Sequence, residues 1–134
     1  MFLNALVLSL TLGAADTEAK LDGTWQLQKI VGRGKVIDDD RALAISYVFE
    51  GKFAKRLVNG VDREDPGTIK LDASRKPAHI DLKPVKEGDP TMLGIFEING
   101  DSLKWCFSSK KRPEKFEAPE GTDSILMIFK RVKK

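Results

Sequence analysis

The stretch "LGIFEINGDSLKWCF", residues 93–107, decides the fold. Asn99-Gly100 is the dipeptide favoured in a two-residue type I′ turn, because both central positions of that turn need positive φ. On either side of it, apolar and polar residues alternate with the period of two expected of a half-buried strand. A loop at 99–100 sets Ile98 opposite Asp101, Phe96 opposite Leu103, Gly94 opposite Trp105 and Met92 opposite Phe107. One face of this hairpin is therefore apolar, and a residue without a side chain lies opposite the large indole. The other face is mixed, with Glu97, Ser102 and Lys104 beside Leu93 and Ile95.

Outward from this hairpin the same period recurs between turn signals, and strands are expected over 23–31, 44–50, 52–58, 67–72, 78–83, 91–98, 101–108 and 123–132. A single short helix is read in "IDDDRALA", residues 37–44, with Asp38 or Asp39 as its N-cap. In "SYVFEGKFAKRL", residues 46–57, a three-residue loop Glu50-Gly51-Lys52 keeps Phe49 and Phe53 on one face. Tyr47, Phe49, Phe53 and Leu57 then point inward, and Lys52, Ala54 and Arg56 outward. Ile69 and Leu71, Ile80 and Leu82, and Ile125, Met127 and Phe129 extend the inner layer along later strands. Short antiparallel strands with one apolar face each cannot lie flat without exposing that face and two raw edges, and closure removes both problems. The expectation is an all-β, eight-stranded antiparallel up-and-down barrel with one short helix between the first two strands; a two-sheet sandwich is the alternative. A barrel of this size is filled by side chains or holds one small ligand.

With 134 residues, 41% of them hydrophobic, the chain has material for one modest core and hence one domain, placed at 16–134. Residues 1–15, "MFLNALVLSLTLGAA", are uncharged and apolar over the length of a signal-peptide core, too short to span a bilayer. Gly13 and Ala15 suit cleavage before Asp16. The basic segment that usually opens such a leader is missing, and an apolar arm that stays attached is the alternative. The expectation is export, to periplasm or exterior, with no stable membrane span after cleavage. Cys106 is the only cysteine, which excludes an internal disulfide or a multi-cysteine zinc site, and it reads as an inert strand thiol. The 23 basic and 20 acidic residues are mixed along the chain, a pattern that serves solubility.

Catalytic constellations are hard to assemble from this composition. His79, the only histidine, alternates with Ile80 and is assigned to the outer face, so neither imidazole metal sites nor histidine-based triads have their parts. Asp38-Asp39-Asp40 lacks the spacing of a calcium loop and reads as helix capping charge, and Glu64-Asp65 reads as a solvated turn. No phosphate-binding loop is present, and the aromatics that interleave with cations in "FAKRL" and "KWCF" alternate inside and outside, which argues against nucleic acid. The chain is therefore read as non-enzymatic, with no metal and no cofactor.

"LDGTWQL", residues 21–27, resembles the first-strand Gly-x-Trp signature of lipocalins and related calycins, carried here by Gly23 and Trp25. Together with "SRKPAHIDL", "LGIFEINGDSLKWCF" and "KRPEKF" it is similar to the small lipocalin-like domain proteins abundant in planctomycetes, over about Leu21 to Arg131. The resemblance implies the barrel, and it implies that Trp25 sits at the closed end with a basic residue of the last strand, Lys130 or Arg131, packed across it. That group carries no established activity. The chain departs from typical lipocalins in having no disulfide and no evident long C-terminal helix.

Two functions remain. The barrel interior could hold a small hydrophobic or amphipathic ligand, with Tyr47, Phe53, Leu57, Ile69, Phe96 and Trp105 as the candidate lining. Alternatively the core is fully packed, and loop 108–123, with Phe116 as an exposed anchor, docks or inhibits a protein partner.

Overall fold

The computed structural model describes residues 14–37, 39–62 and 66–133. The expected leader falls almost wholly outside these residues, as do Asp38 and Glu64-Asp65. Ten strands are described: β1 (Gly23–Gly32), β2 (Lys35–Ile37), β3 (Ile45–Glu50), β4 (Phe53–Val58), β5 (Val61–Asp62), β6 (Gly67–Asp72), β7 (Ala78–Lys83), β8 (Met92–Asn99), β9 (Ser102–Ser108) and β10 (Ile125–Arg131). Eight of them form a closed antiparallel barrel in the order β1-β3-β4-β6-β7-β8-β9-β10, and β10 pairs back onto β1 to seal it. The eight expected strands match these to within about two residues. The short β2 and β5 were not anticipated; they pair alongside the ends of β1 and β4 that lie towards the longer connections.

The core follows from the alternation. Trp25, Leu27, Tyr47, Phe49, Ile69, Ile80, Leu82, Phe96, Leu103, Trp105, Met127 and Phe129 form one buried cluster. Its centre is aromatic: Tyr47 meets Trp105 edge-on at 5.1 Å and Phe129 at 5.8 Å, and Trp105 lies 5.8 Å from Phe49. A bulge between Leu27 and Lys29 shifts the alternation of β1 by one residue, so that Ile30 comes opposite the inward Met127.

Both hairpin registers differ from the expected ones. Around Gly100 the pairs are Asn99 with Ser102, Ile98 with Leu103 and Phe96 with Trp105, so the loop is Gly100-Asp101 rather than Asn99-Gly100. Only Gly100 has positive φ there (63°), the pattern of a type II′ turn. A slip of two residues in pairing leaves every side chain on its expected face. Around Gly51 the consequence is larger. Glu50 pairs with Phe53 and Phe49 with Ala54, so the loop is the two-residue Gly51-Lys52, and β4 presents Ala54 and Arg56 inward where Phe53 and Leu57 were expected. Phe53 is accordingly 53% exposed. Two contacts hold this register: the small Ala54 lies opposite the bulky Phe49, and the Gly51 amide donates to Asp22 Oδ1 at 2.9 Å.

The helix expected between the first two long strands is α2 (Asp40–Leu43), capped by Asp39, whose carboxylate accepts from the Ala42 amide. Another helix, α1 (Ala14–Leu21), precedes β1 and was not expected; the cleavage point before Asp16 falls inside it. Eight residues are too few to hold a helix alone, and tertiary partners supply the rest. Leu21 is buried in the barrel end, Trp25 Nε1 donates to the Leu21 carbonyl at 2.7 Å, and Arg131 Nη2 donates to the Lys20 carbonyl at 2.6 Å. The last carbonyls of α1, which have no partner within a helix, are thus taken by the signature tryptophan and the last strand.

Candidate functional site at the open end of the barrel

The pairing registers give the barrel two unlike ends. At one end the connections are short, 51–52, 73–77 and 100–101, and α1 lies across them; at the other are 33–44, 59–66, 84–91 and 109–124. Trp25 belongs to the closed end. It is fully buried, and the Arg131 guanidinium stands 4.2 Å from its ring centre while donating to the Asp22 carbonyl at 2.9 Å. Gly23 is required beside them: its φ is +124°, and a Cβ there would come 3.2 Å from Arg131 Nη1. Gly23, Trp25 and Arg131 therefore close one end.

The wall is weakest between β4 and β6. Only Phe53 with Thr68 and Ala54 with Gly67 pair; β6 begins at Gly67, and nearer the open end β5 takes the edge of β4 at Leu57 and Val58. A cavity of about 470 Å³ lies there, with Tyr47, Ala54, Leu82 and Met92 beneath and Arg56, Lys86 and Asp89 around it. Connection 84–91 forms its far side through Pro84 and Val85. An apolar floor with a few polar groups at the edge is the composition of small-molecule sites, and the volume falls in their range.

Of the residues expected to line the interior, Tyr47 borders this cavity. Ile69, Phe96 and Trp105 belong to the packed core. Phe53 and Leu57 do not face the interior at all, because the β3–β4 turn is one residue shorter than expected and inverts β4. Ala54, Leu82 and Met92 replace them; the signal that could have found Ala54 is its opposition to Phe49 once a two-residue turn is drawn.

One group in the interior is not satisfied. Trp105 is 1% exposed and its Nε1 has no hydrogen-bond partner among the described residues. A buried donor without an acceptor costs about 1–3 kcal/mol. Nε1 lies over Gly94: a Cβ on that glycine would be 3.0 Å away. The glycine does make room for the indole, as the sequence suggested, although its direct pairing partner is Phe107.

Loop 109–124 folds back along the outside of the barrel. Arg112 Nη1 lies 2.6 Å from Asp81 Oδ1 on β7 and donates to the Gly94 carbonyl at 2.7 Å. The Cys106 thiol donates to the Glu117 carbonyl at 3.3 Å, and the Ala118 carbonyl accepts from the Gly34 amide at 2.7 Å. Beneath the loop, Ile95 and Cys106 are buried although they face outward, which explains the apolar residues on the mixed face of the 93–107 hairpin. Phe116, expected as an exposed anchor, is half-buried, with Lys104 Nζ 5.8 Å from its ring centre. Burial pushes the Cys106 thiol above its ordinary pKa, as suits an inert thiol. His79 faces outward next to this strap, and burial followed by the charges of Arg112 and Arg75 holds its pKa below the ordinary imidazole value.

Among the described residues no group of three or more metal-binding side chains occurs, and no helix is long and apolar enough to cross a membrane. The class that fold and site define is a closed antiparallel β-barrel with a cavity at its looped end. Compared with models of protein families, with curated proteins and with solved structures, the chain has no match.

Proposed function

We propose that the protein is a non-enzymatic, lipocalin-like barrel that takes up a small hydrophobic or amphipathic molecule at its open end, and that it is exported behind a leader of residues 1–15. The observation that carries the binding reading is the cavity beside the short β4–β6 pairing, with its apolar floor of Tyr47, Ala54, Leu82 and Met92 beneath a rim that includes Arg56 and Lys86. The lipocalin kinship draws support from the closed end, where Gly23, Trp25 and Arg131 interlock. A partner-docking role for 108–123 has less to support it, because the loop is tied to the barrel and Phe116 is tucked against Lys104.

Titration with an environment-sensitive apolar dye tests the reading. Saturable binding is expected, and Met92→Trp, which fills the cavity, should weaken it at least tenfold with the melting temperature little changed. Absence of saturable binding, or binding indifferent to Met92→Trp, would count against the open end as a site. The mass of the protein secreted by its own host, read against cleavage before Asp16, tests the leader.

A further inference from the structure

We infer that the Trp105 indole N–H is the polar anchor of the barrel interior, and that the ligand is an uncharged lipophile ending in a carbonyl-type oxygen, which enters oxygen-first. This rests on the reading of the open end as a binding site and names the chemistry that the site selects.

The chain has two tryptophans, both buried, and they differ in one respect. Trp25 spends its N–H on the Leu21 carbonyl, whereas the N–H of Trp105 meets no acceptor among the described residues. Native interiors leave very few donors in that state, and an orphan is a place to look for an absent acceptor. The position of this one fits such an acceptor. Trp105 pairs across the sheet with Phe96, yet its Nε1 lies over Gly94, nearer the open end of β8. Two residues further along β8 is Met92, paired with Leu82, and both border the cavity. Tyr47, a third residue of the floor, touches the indole edge-on at 5.1 Å. The orphan donor therefore lies one layer of side chains beneath the cavity. Part of that layer is a methionine, whose unbranched thioether chain repacks readily around a guest.

The surroundings select the chemistry of the acceptor. Met92, Leu82, Ile80 and Phe96 supply no charge, and the cations Arg56 and Lys86 stand at the rim. A carboxylate drawn down to Trp105 would exchange its hydration for one neutral N–H, a poor trade in an apolar medium. An acid would keep its head at the rim instead. A hydroxyl could accept from the indole but would strand its own proton. A ketone, aldehyde or ester oxygen needs one donor and strands nothing.

The test uses the full chain, labelled with nitrogen-15, and three probes matched in length: methyl nonyl ketone, n-undecane and undecanoic acid. The two indole N–H resonances are assigned with Trp25→Phe and Trp105→Phe. Once each affinity is corrected for the probe's own transfer from water to hexadecane, methyl nonyl ketone should bind about tenfold more tightly than n-undecane, which corresponds to one neutral hydrogen bond of about 1.4 kcal/mol, and should move the Trp105 resonance downfield while leaving that of Trp25 in place. Trp105→Phe should abolish the tenfold preference and preserve binding of the alkane. Should that variant unfold, the resonance shift in the unaltered protein decides. Equal corrected affinities for ketone and alkane with a stationary Trp105 resonance would overturn the inference and leave the binding site standing. So would tightest binding of the acid with that resonance unmoved, or a Trp105 N–H already bonded to an internal water before any probe is added. If none of the three binds, the reading of the open end falls, and this inference falls with it.

Discussion

Arg131 shows how much one side chain can be asked to hold. Its guanidinium covers the Trp25 ring, donates to the Asp22 and Lys20 carbonyls and approaches Asp101 at 3.7 Å, so a strand, a helix end and a turn meet at one planar cation. A lysine offers no such fork. Arg131→Lys should therefore lower stability by about 2 kcal/mol, through lost hydrogen bonds and a weaker cation–π contact. Gly23→Ala should cost about as much, because its φ of +124° is strained for any residue with a Cβ and that Cβ would crowd the same guanidinium. Urea unfolding of both variants and of the double mutant checks this. The two losses should fall short of additive, since each change disturbs one shared contact. Additive losses would mean that the residues act separately.

At the scale of elements, the strap 109–124 acts as an outer cover for an outward-facing apolar pair. Arg112 is its main tether, in a half-buried ion pair with Asp81 and a bond to Gly94. Arg112→Ala should loosen the strap by about 1–2 kcal/mol. Cys106 reports the loosening. Its thiol is buried with a raised pKa, so a disulfide reagent reaches it only through local opening, and labelling should accelerate about tenfold in the variant at pH 8. Unchanged labelling would show that the strap is held by something other than Arg112. Strand positions were legible in the sequence because an apolar residue recurs at nearly every second position along them. The register of the β3–β4 hairpin was not, because a glycine at its turn suits a two-residue and a three-residue loop equally well, and the contact from outside the hairpin that fixes the turn, Asp22 on the Gly51 amide, is tertiary. That one-residue ambiguity carried Phe53 and Leu57 into the expected lining and left Ala54 out. The cavity was equally hidden, since it lies where the β4–β6 pairing ends after two residue pairs and no residue pattern marks such an end. Ile95 and Cys106 were visible as misplaced apolar residues, but nothing in the sequence said which segment covers them.

For the whole molecule, stability should follow pH in two steps. His79 binds its proton less readily when folded, because of burial and then of Arg112, so the unfolded chain takes up protons first as pH falls. The contribution of a neutral His79 is complete above the ordinary imidazole pKa of about 6.5 and is lost as pH drops below it. Asp72, bonded by Ser74, and Asp101, bonded by Lys133, have carboxyl pKa values held below the usual range, so what they contribute is present above about 4 and is lost at lower pH. The melting temperature should be flat from pH 7 to 8, decline below about 6.5 and decline again below about 4. His79→Gln should remove the first decline only. A decline that persists between pH 6.5 and 5 in this variant would place its origin elsewhere.

The seam between β1 and β10 joins residues as distant as Asp22 and Arg131, 109 positions apart, while the other barrel contacts form between successive strands. Every hairpin can zip as it is synthesised, yet the cylinder has no lock until its last stave arrives. Until that moment the sheet carries two bare edges, each able to pair with a stranger, and the arrival of β10 both closes the wall and, through Arg131, pins α1 over its end.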